Sequence, residues 1–227
     1  MSIVTSAVAS AARYPLGYRV GPLGPRPAAP LVLYEFEGCP FCRKVREALT
    51  MLDLDAEIRP TPHGGARFRP EAIARGGKAQ FPLLVDPSDD ALVYESDAII
   101  AHLYQRYGRG KPPLGLRLGP LTTATSSLAS AVRLGAGSRA RPSTAPAQPL
   151  ALWSFELSPY SRRVRERLSE LELPYLLHNL GPGSPRRPAF IARTGKMMVP
   201  YLEDANTGAA MFESKDIVRY LSDTYGR

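Results

Sequence analysis

The sequence predicts an α/β protein made of two tandem βαβαββα modules, each preceded by a short helix. The first observation is an internal repeat at an offset of 118 to 119 residues: LYEFEGCPFCRKVREAL matches LWSFELSPYSRRVRERL, RGGKAQFPLLVDP matches RTGKMMVPYLEDA, and VYESDAIIAHLYQRYG matches MFESKDIVRYLSDTYG. The second is that short apolar runs alternate with segments of helical periodicity in each repeat. We therefore expect a leader helix and spacer at 1–30, module 1 at 31–110, a second leader helix and spacer at 111–149, and module 2 at 150–227.

The elements of module 1 follow from local signals. The run LVLYEF predicts a buried strand, and Pro40 suits the first turn of the helix after it, where a missing N–H costs little. LDAEIRP predicts a second strand, and the helix RFRPEAIAR stops at Gly76. FPLLVD and ALVYE predict a hairpin. The last helix starts at Ser96 and ends before Gly108.

Composition narrows the class of protein. Hydrophobic residues make up 44% of the 227-residue chain and charged residues 22%, which indicates a packed core. No apolar run approaches the roughly 18 residues of a membrane span, so no transmembrane segment is expected. The net charge of +8 suits anionic partners in general. The net charge does not indicate which kind of anion is bound. No nucleic-acid partner is expected.

The N-terminus has two readings. It is Ser- and Ala-rich with Arg and no acid before Glu35, as in an organellar transit peptide. However, TSAVASAAR at 5–13 recurs as TSSLASAVR at 125–133, and an internal copy is not a cleaved signal. We therefore expect helices at 2–13 and 121–133 that pack on the modules, the first through Ile3, Val4, Val8 and Ala11, and exposed extended spacers. The expected location is cytoplasmic, or a plastid or mitochondrion if 1–30 is a transit peptide.

Both cysteines lie in one motif, Cys39-Pro40-Phe41-Cys42. Two cysteines do not make a disulfide framework, and a CxxC metal site usually needs a second Cys or His pair, so no metal is expected. Cys39 would precede a helix N-terminus, where free N–H groups favour a thiolate, and Arg43 and Lys44 would add positive charge. Cys39 is then the candidate nucleophile and Cys42 the resolving thiol. One alternative is that the two cysteines are simply small buried side chains. The other is that Cys39, together with glutathione, binds an iron cluster.

The segments GCPFCRKVR, FPLLVDP and YESDAIIAHL, and their counterparts SPYSRRVR, VPYLEDANTG and FESKDIVRYL, carry a family resemblance. In this order they resemble the thioredoxin-like fold, and most of all glutaredoxins and the N-terminal domain of glutathione transferases. The resemblance covers about two-thirds of the chain. One departure stands out, because a second thioredoxin-like module occupies the place where glutathione transferases have an all-helical domain.

The resemblance implies glutathione as cosubstrate and assigns roles by position. It implies cis peptides before Pro82 and Pro200 and a backbone contact from Phe81 to the cysteinyl part of glutathione. It implies that Glu95 and Ser96 hold the γ-glutamyl end, although Ser96 could be a plain helix cap. Lys78 and Gln80 are candidates for the glycyl carboxylate, although Lys78 could be a solvated surface lysine. The second-module candidates are Ser158, Lys196, Val199, Pro200, Glu213 and Ser214.

The expected function is a glutathione-dependent thiol–disulfide oxidoreductase similar to glutaredoxins, whose partners are glutathione and glutathione mixed disulfides. Module 2 has no sulfur nucleophile and is expected to be catalytically degenerate. Ser158 could still donate a hydrogen bond to a glutathione thiolate, or be purely structural. One alternative is a transferase-like conjugating enzyme with a pocket between the modules. The other is a non-enzymatic glutathione-binding redox sensor or scaffold. The modules are expected to pack as an intrachain pseudo-dimer.

Overall fold

The computed structural model describes residues 3–11, 14–117 and 135–227. The elements before module 2 are α1 (Ile3–Ala11), β1 (Leu31–Glu35), α2 (Pro40–Met51), β2 (Ala56–Pro60), α3 (Phe68–Gly76), β3 (Leu83–Asp86), β4 (Ala91–Tyr94), α4 (Ser96–Tyr107) and α5 (Leu114–Arg117). Module 2 contains β5 (Leu150–Ser154), α6 (Pro159–Glu170), β6 (Tyr175–Asn179), α7 (Arg187–Thr194), β7 (Tyr201–Asp204), β8 (Ala209–Phe212) and α8 (Ser214–Tyr225). Both modules have the predicted order βαβαββα. The short helix α5 was not predicted, and the predicted helix at 121–133 lies outside the described residues.

All eight strands form one continuous sheet in the order β4-β3-β1-β2-β6-β5-β7-β8. Within each module the two strands that flank the first helix are parallel and the hairpin is antiparallel. The modules join through antiparallel pairing of β2 with β6. This pairing is centred on Glu57 opposite Leu176, which are equivalent positions of the repeat. A pseudo-two-fold axis therefore passes through the middle of the sheet.

The apolar core is continuous between the modules, as the shared sheet requires. In module 1 it is built around Leu33, Val45, Leu49, Ile58, Ile99 and Leu103. In module 2 the repeat supplies Leu152, Val164, Leu168, Leu177, Ile217 and Leu221. Each set places one face of the module's sheet against its first and last helices, so the same packing holds both modules together.

The interface also holds a buried group of charges, here called the interface charge network. It consists of four arginines and four glutamates from equivalent positions of the repeat: Arg43, Arg46, Glu37, Glu47, Arg162, Arg165, Glu156 and Glu166. Arg46 Nε donates to Glu156 at 2.9 Å, and Arg165 Nε donates to Glu37 at 2.9 Å. Each module therefore supplies the cation for a carboxylate of the other.

Helix α1 packs on α6 of module 2, but not through the predicted face. Val4 and Val8 are 65% and 51% exposed, whereas Ser6 is fully buried and its hydroxyl donates to the carbonyl of Pro159 at 2.7 Å. The predicted apolar face is therefore wrong. A small hydroxyl side chain at the contact allows α1 to approach α6 closely and adds a hydrogen bond to a backbone carbonyl of the first turn of that helix.

The spacers are largely exposed, as predicted, but each is anchored at one buried glycine. Gly17 and Gly137 have φ values of +67° and +74°. A Cβ on Gly17 would lie 2.9 Å from Glu47 Cγ, and one on Gly137 would lie 2.8 Å from Glu37 Cβ. Glycine is therefore required where the spacers cross the interface charge network. Among the described residues, no helix combines the length and apolarity that crossing a bilayer needs.

Candidate functional site

The strand register gathers the predicted site residues of module 1 at one edge of the sheet. Tyr34, near the end of β1, is opposite Leu83 at the start of β3, which is opposite Tyr94 at the end of β4. The N-terminus of α2 follows β1 after a short loop, the N-terminus of α4 follows β4 after one residue, and Pro82 directly precedes β3. The cysteine pair, Pro82 and the Glu95-Ser96 pair therefore belong to the same edge.

Cys39 is the N-cap of α2, and its sulfur accepts a hydrogen bond from the backbone N–H of Cys42 at 3.3 Å. Both cysteines are free thiols; Cys39 is 4% exposed and Cys42 is fully buried. Burial raises the pKa of the Cys39 thiol, but the hydrogen bonds from the side chain and N–H of Cys42 and from the N–H of Phe41 outweigh it. The pKa of Cys39 is therefore lowered. Burial and the neighbouring Cys39 sulfur raise the pKa of Cys42 well above its usual range.

Arg43 and Lys44 do not support the thiolate in the predicted way. Arg43 is buried, with its Nε 3.4 Å from Glu47 and 3.8 Å from Glu156, as part of the interface charge network. The ammonium group of Lys44 pairs with Asp97 on α4. Both cations therefore serve packing, and hydrogen bonds at the start of α2 account for the lowered pKa of Cys39.

The peptide bonds before Pro82 and Pro200 are both cis, which confirms the expectation from the resemblance. Glu95 is the N-cap of α4, so Ser96 is its first helical residue and not the cap. Glu95 has φ +65°, and its counterpart Glu213 has φ +70°. This conformation is uncommon for a residue with a Cβ and is characteristic of ligand-contacting positions. Both modules keep this conformation at the cap, as they also keep a positive φ at the equivalent pair Asp53 and Glu172.

The structure places Gln80 against Glu95, because the Gln80 amide donates to the Glu95 carboxylate. Lys78 lies apart from this pair, with its Nζ 4.9 Å from the centre of the Tyr94 ring. Arg69 stacks over Phe81 at 4.7 Å and was missed from the sequence, since an arginine on the short helix α3 reads as solvated. Gln80, Phe81 and Glu95 are therefore close together, and Lys78 lies over the Tyr94 ring.

Module 2 reproduces this arrangement with hydroxyls. Ser158 caps α6, accepting from the N–H of Ser161 at 3.2 Å and from its hydroxyl at 2.9 Å. A cavity of about 360 Å³ lies beside this cap, and its walls are Tyr160, Met198, Val199, Pro200, Glu213 and Ser214. Lys196 lies with its Nζ 4.4 Å from the centre of the Phe212 ring. Four of the six predicted second-module residues therefore line one cavity, and Tyr160 was missed because it reads as a core aromatic.

Within the described part of the chain, one group of residues has the composition of a metal site. Asp86, Asp89 and His102 hold their ligand atoms within 4.8 Å of one another. However, Asp86 Oδ2 shares hydrogen bonds of 2.7 Å with both His102 and the Tyr107 hydroxyl, and Asp89 pairs with Arg106 at 2.5 Å. These contacts fasten the β3–β4 hairpin to α4, which is a structural role.

The element order, the side-chain cap of the first helix by Cys39 or Ser158, and the cis prolines define two thioredoxin-like modules. Residues 33–113 and 152–227 match the family described as "Glutathione S-transferase, N-terminal domain". Since these segments cover more than half of the chain, the protein belongs to that family.

Individual relatives match shorter stretches. Glutathione S-transferase GstB of Escherichia coli, strains K12 and O6:H1, is 35% identical over 80 residues, which are 34% of this chain and 38% of the relative. The chain therefore matches well under half the length of these curated relatives. A trimeric glutathione transferase of Leishmania, TDR1, aligns with 86% of this chain and 67% of its own, at 13% identity and a TM-score of 0.31.

Proposed function

We propose that the protein is a glutathione-dependent thiol–disulfide oxidoreductase in which Cys39 is the nucleophile and Cys42 the resolving thiol. Family membership supports a glutathione-related function. The observation that carries the finer proposal is the cap of α2. There the sulfur of Cys39 accepts the N–H of Cys42, and the two thiols have pKa values shifted in opposite directions. A more acidic outer thiol beside a less acidic inner one suits attack followed by resolution.

The reaction begins with a mixed disulfide between glutathione and a substrate thiol. The Cys39 thiolate attacks the glutathione sulfur, so that a Cys39–glutathione disulfide forms and the substrate leaves as a thiolate. A second glutathione thiolate then attacks the glutathione sulfur of this adduct, which releases glutathione disulfide and restores Cys39. Alternatively Cys42 attacks Cys39, which releases glutathione and leaves an internal disulfide that two glutathione molecules reduce. One disulfide is consumed and one formed at each exchange.

The glutathione contacts follow the sheet edge described above. In this proposal the backbone of Phe81, before the cis Pro82, pairs with the cysteinyl part of glutathione. The strained Glu95 and the N-terminus of α4 at Ser96 hold the γ-glutamyl end, since free N–H groups there favour a carboxylate. Gln80 acts indirectly in this proposal, because its side-chain amide donates a hydrogen bond to the Glu95 carboxylate.

A transferase with its electrophile pocket between the modules is less well supported. A cavity of about 450 Å³ does touch both modules, but it is lined by Asp53 and Asp55, which follow the C-terminus of α2. Cys39 caps the opposite, N-terminal end of α2. Because this helix has 12 residues and is about 18 Å long, the cavity lies far from the thiols. Near the thiols, the space between the modules is filled by the interface charge network, where a cavity of only about 10 Å³ remains.

A second role is favoured by the cavity in module 2. Its volume of about 360 Å³ and the strained Glu213 beside Ser214 suit non-covalent binding of a small peptide such as glutathione. Module 2 has no thiol, so this role would be binding without disulfide exchange.

The test is reduction of the mixed disulfide of glutathione and 2-mercaptoethanol by glutathione, coupled to glutathione reductase. Wild-type protein and Cys42→Ser should be active, because the monothiol route needs only Cys39. Cys39→Ser should be inactive. Conjugation of glutathione to an aryl halide is measured in parallel and decides the alternative. If wild-type protein conjugates glutathione but does not reduce the mixed disulfide, and conjugation persists in Cys39→Ser, the protein is a transferase and the oxidoreductase is rejected.

A further inference from the structure

The residues that follow α4 form a short basic stretch at the surface, residues 109–117, here called the basic segment. Arg109, Lys111 and Arg117 are exposed, and none of them has a carboxylate partner among the described residues. The sequence has no Asp or Glu between residues 98 and 155. The basic segment therefore presents three positive charges that no acid nearby in the sequence offsets.

The basic segment also exposes an apolar side chain between its cations. Leu114 is 69% exposed, more than any other large apolar side chain of the described residues. It lies three residues after Lys111 and three residues before Arg117. Residues three apart share one side of a helix, and Leu116, on the other side of α5, packs in the core. The outer side of the segment is thus an exposed leucine flanked by cations.

A cavity of about 430 Å³ lies between the basic segment and α4. Its apolar walls are formed by Ile100, Ala101, Pro112 and Leu116. The exposed Lys111 and Arg117 also line it, as does Asp97, whose carboxylate pairs with Lys44. The cavity is therefore apolar inside, and its charged lining is positive overall.

The apolar wall on α4 is particular to module 1. Ala101 and Tyr104, which line the cavity, correspond to Arg219 and Ser222 of α8. Arg219 is exposed and its guanidinium lies 3.0 Å from the carboxylate of Asp216. The same face of the last helix is thus charged in module 2, and the shared fold does not require it to be apolar.

We propose that the basic segment docks the protein on an anionic lipid surface. The cations of the segment bind lipid phosphates, and Leu114 enters the boundary between the headgroups and the acyl chains. The acyl chain of one lipid occupies the cavity beneath. Anionic lipids attract basic segments to a membrane surface, and a buried apolar side chain adds to this attraction. This docking is independent of the disulfide chemistry proposed above.

A lipid matches the basic segment better than a nucleic acid, which three cations would also attract. Both ligands supply phosphates. Only a lipid supplies an apolar layer for Leu114 and an apolar chain for the cavity. Proteins that bind single-stranded nucleic acids stack bases on aromatic side chains, and residues 109–117 include no aromatic residue.

Co-sedimentation of the full-length protein with lipid vesicles tests the proposal. Vesicles of phosphatidylcholine and phosphatidylglycerol are compared with vesicles of phosphatidylcholine alone. The protein should bind the anionic vesicles, and high salt should weaken this binding. Lys111→Gln and Arg117→Gln should each lower the partition coefficient about fivefold, because each removes one cation from the membrane surface. Leu114→Ser should lower it by about tenfold.

Matched variants outside the basic segment separate docking from general charge attraction. Arg139→Gln removes one positive charge from another exposed arginine that has no carboxylate partner among the described residues. Leu92→Ser removes an apolar side chain that is 43% exposed on β4. Both should bind vesicles like wild type. All five substitutions are at exposed positions, and circular dichroism checks that each variant is folded.

Four results would overturn the proposal. These are no sedimentation with anionic vesicles, an equal loss of binding in Arg139→Gln and Lys111→Gln, and unchanged binding in Leu114→Ser, as expected for a nucleic-acid surface. The fourth is binding of monomeric dodecyl phosphate without binding of vesicles. Cys39→Ser should bind vesicles like wild type, so the lipid surface and the oxidoreductase are tested separately.

Discussion

Replacing Glu156 by Gln should destabilise the whole protein, because this carboxylate joins the two modules. Glu156 is buried, with Oε2 2.9 Å from both Arg46 and Arg165 and Oε1 within 3.8 Å of Arg43 and Arg162. Burial opposes its ionisation, but these four guanidinium groups prevail and lower its pKa from 4.5 to about 2. The variant keeps the shape of the side chain and removes its charge.

The expected magnitude follows from this pKa. Each tenfold change in proton affinity corresponds to about 1.4 kcal/mol, so the ionised Glu156 contributes about 3 kcal/mol to the free energy of unfolding at neutral pH. Removing one partner of a buried ion pair typically costs about 3–5 kcal/mol, which agrees. Because the pKa is lower in the folded state, this contribution is present above pH 4.5 and is lost as the pH falls towards 2.

The assay is urea unfolding followed by far-UV circular dichroism between pH 7 and pH 3, since urea does not screen charges. Glu156→Gln should be about 3 kcal/mol less stable than wild type at pH 7, and the difference should shrink below pH 4.5. Glu203→Gln is the control, because Glu203 forms an exposed pair with Arg193 and should cost under about 1 kcal/mol. Equal stability of Glu156→Gln and wild type at pH 7, or a difference that does not change with pH, would refute the reasoning.

The other predictions concern the thiols, the leader helix and the binding sites. Iodoacetamide near pH 6 should label Cys39 before Cys42, as read by mass spectrometry, because the pKa of Cys39 is lowered; the reverse order would reject the assignment. Deleting residues 1–14 should lower the melting temperature by about 2–4 °C per kcal/mol of packing lost, and an unchanged melt would indicate a dispensable segment. In an NMR titration, glutathione should bind module 1 more tightly than module 2 by up to about tenfold, because Met198 replaces Gln80 and Ser158 replaces the thiol; shifts confined to module 2 would contradict this.

The sequence predicted those features that depend on local chemistry. Pro40 indicated where α2 begins, and Gly76 and Gly77 indicated where α3 ends. The repeat then predicted all the elements of module 2. The sheet edge that collects Cys39, Pro82 and Glu95 follows from the same element order. These features need no knowledge of how the modules meet.

The sequence predicted that the two modules pack as a pseudo-dimer but not which residues form the interface, because those residues look like surface residues. Arg43 and Arg46 on a helix read as a solvated basic face, yet both are buried against carboxylates that include Glu156 of the other module. Their pairing depends on β2 joining β6, which no local pattern indicates. A signal was available, since the arginines and glutamates recur together at the offset of the repeat while Lys44 and Glu35 do not.

The centring of the β2–β6 pairing on Glu57 and Leu176 has a genetic consequence. In a homodimer with this geometry, one codon change alters both sides of the axis at once. A buried carboxyl such as Glu35, whose counterpart is Ser154, would then enter the interface twice and leave it with two surplus negative charges. When both halves are encoded in one reading frame, each position can change by itself. The tandem arrangement therefore permits one half to hold a thiol pair and an extra acid while the other half lacks both, so that the shared interface contains one extra carboxyl and not two.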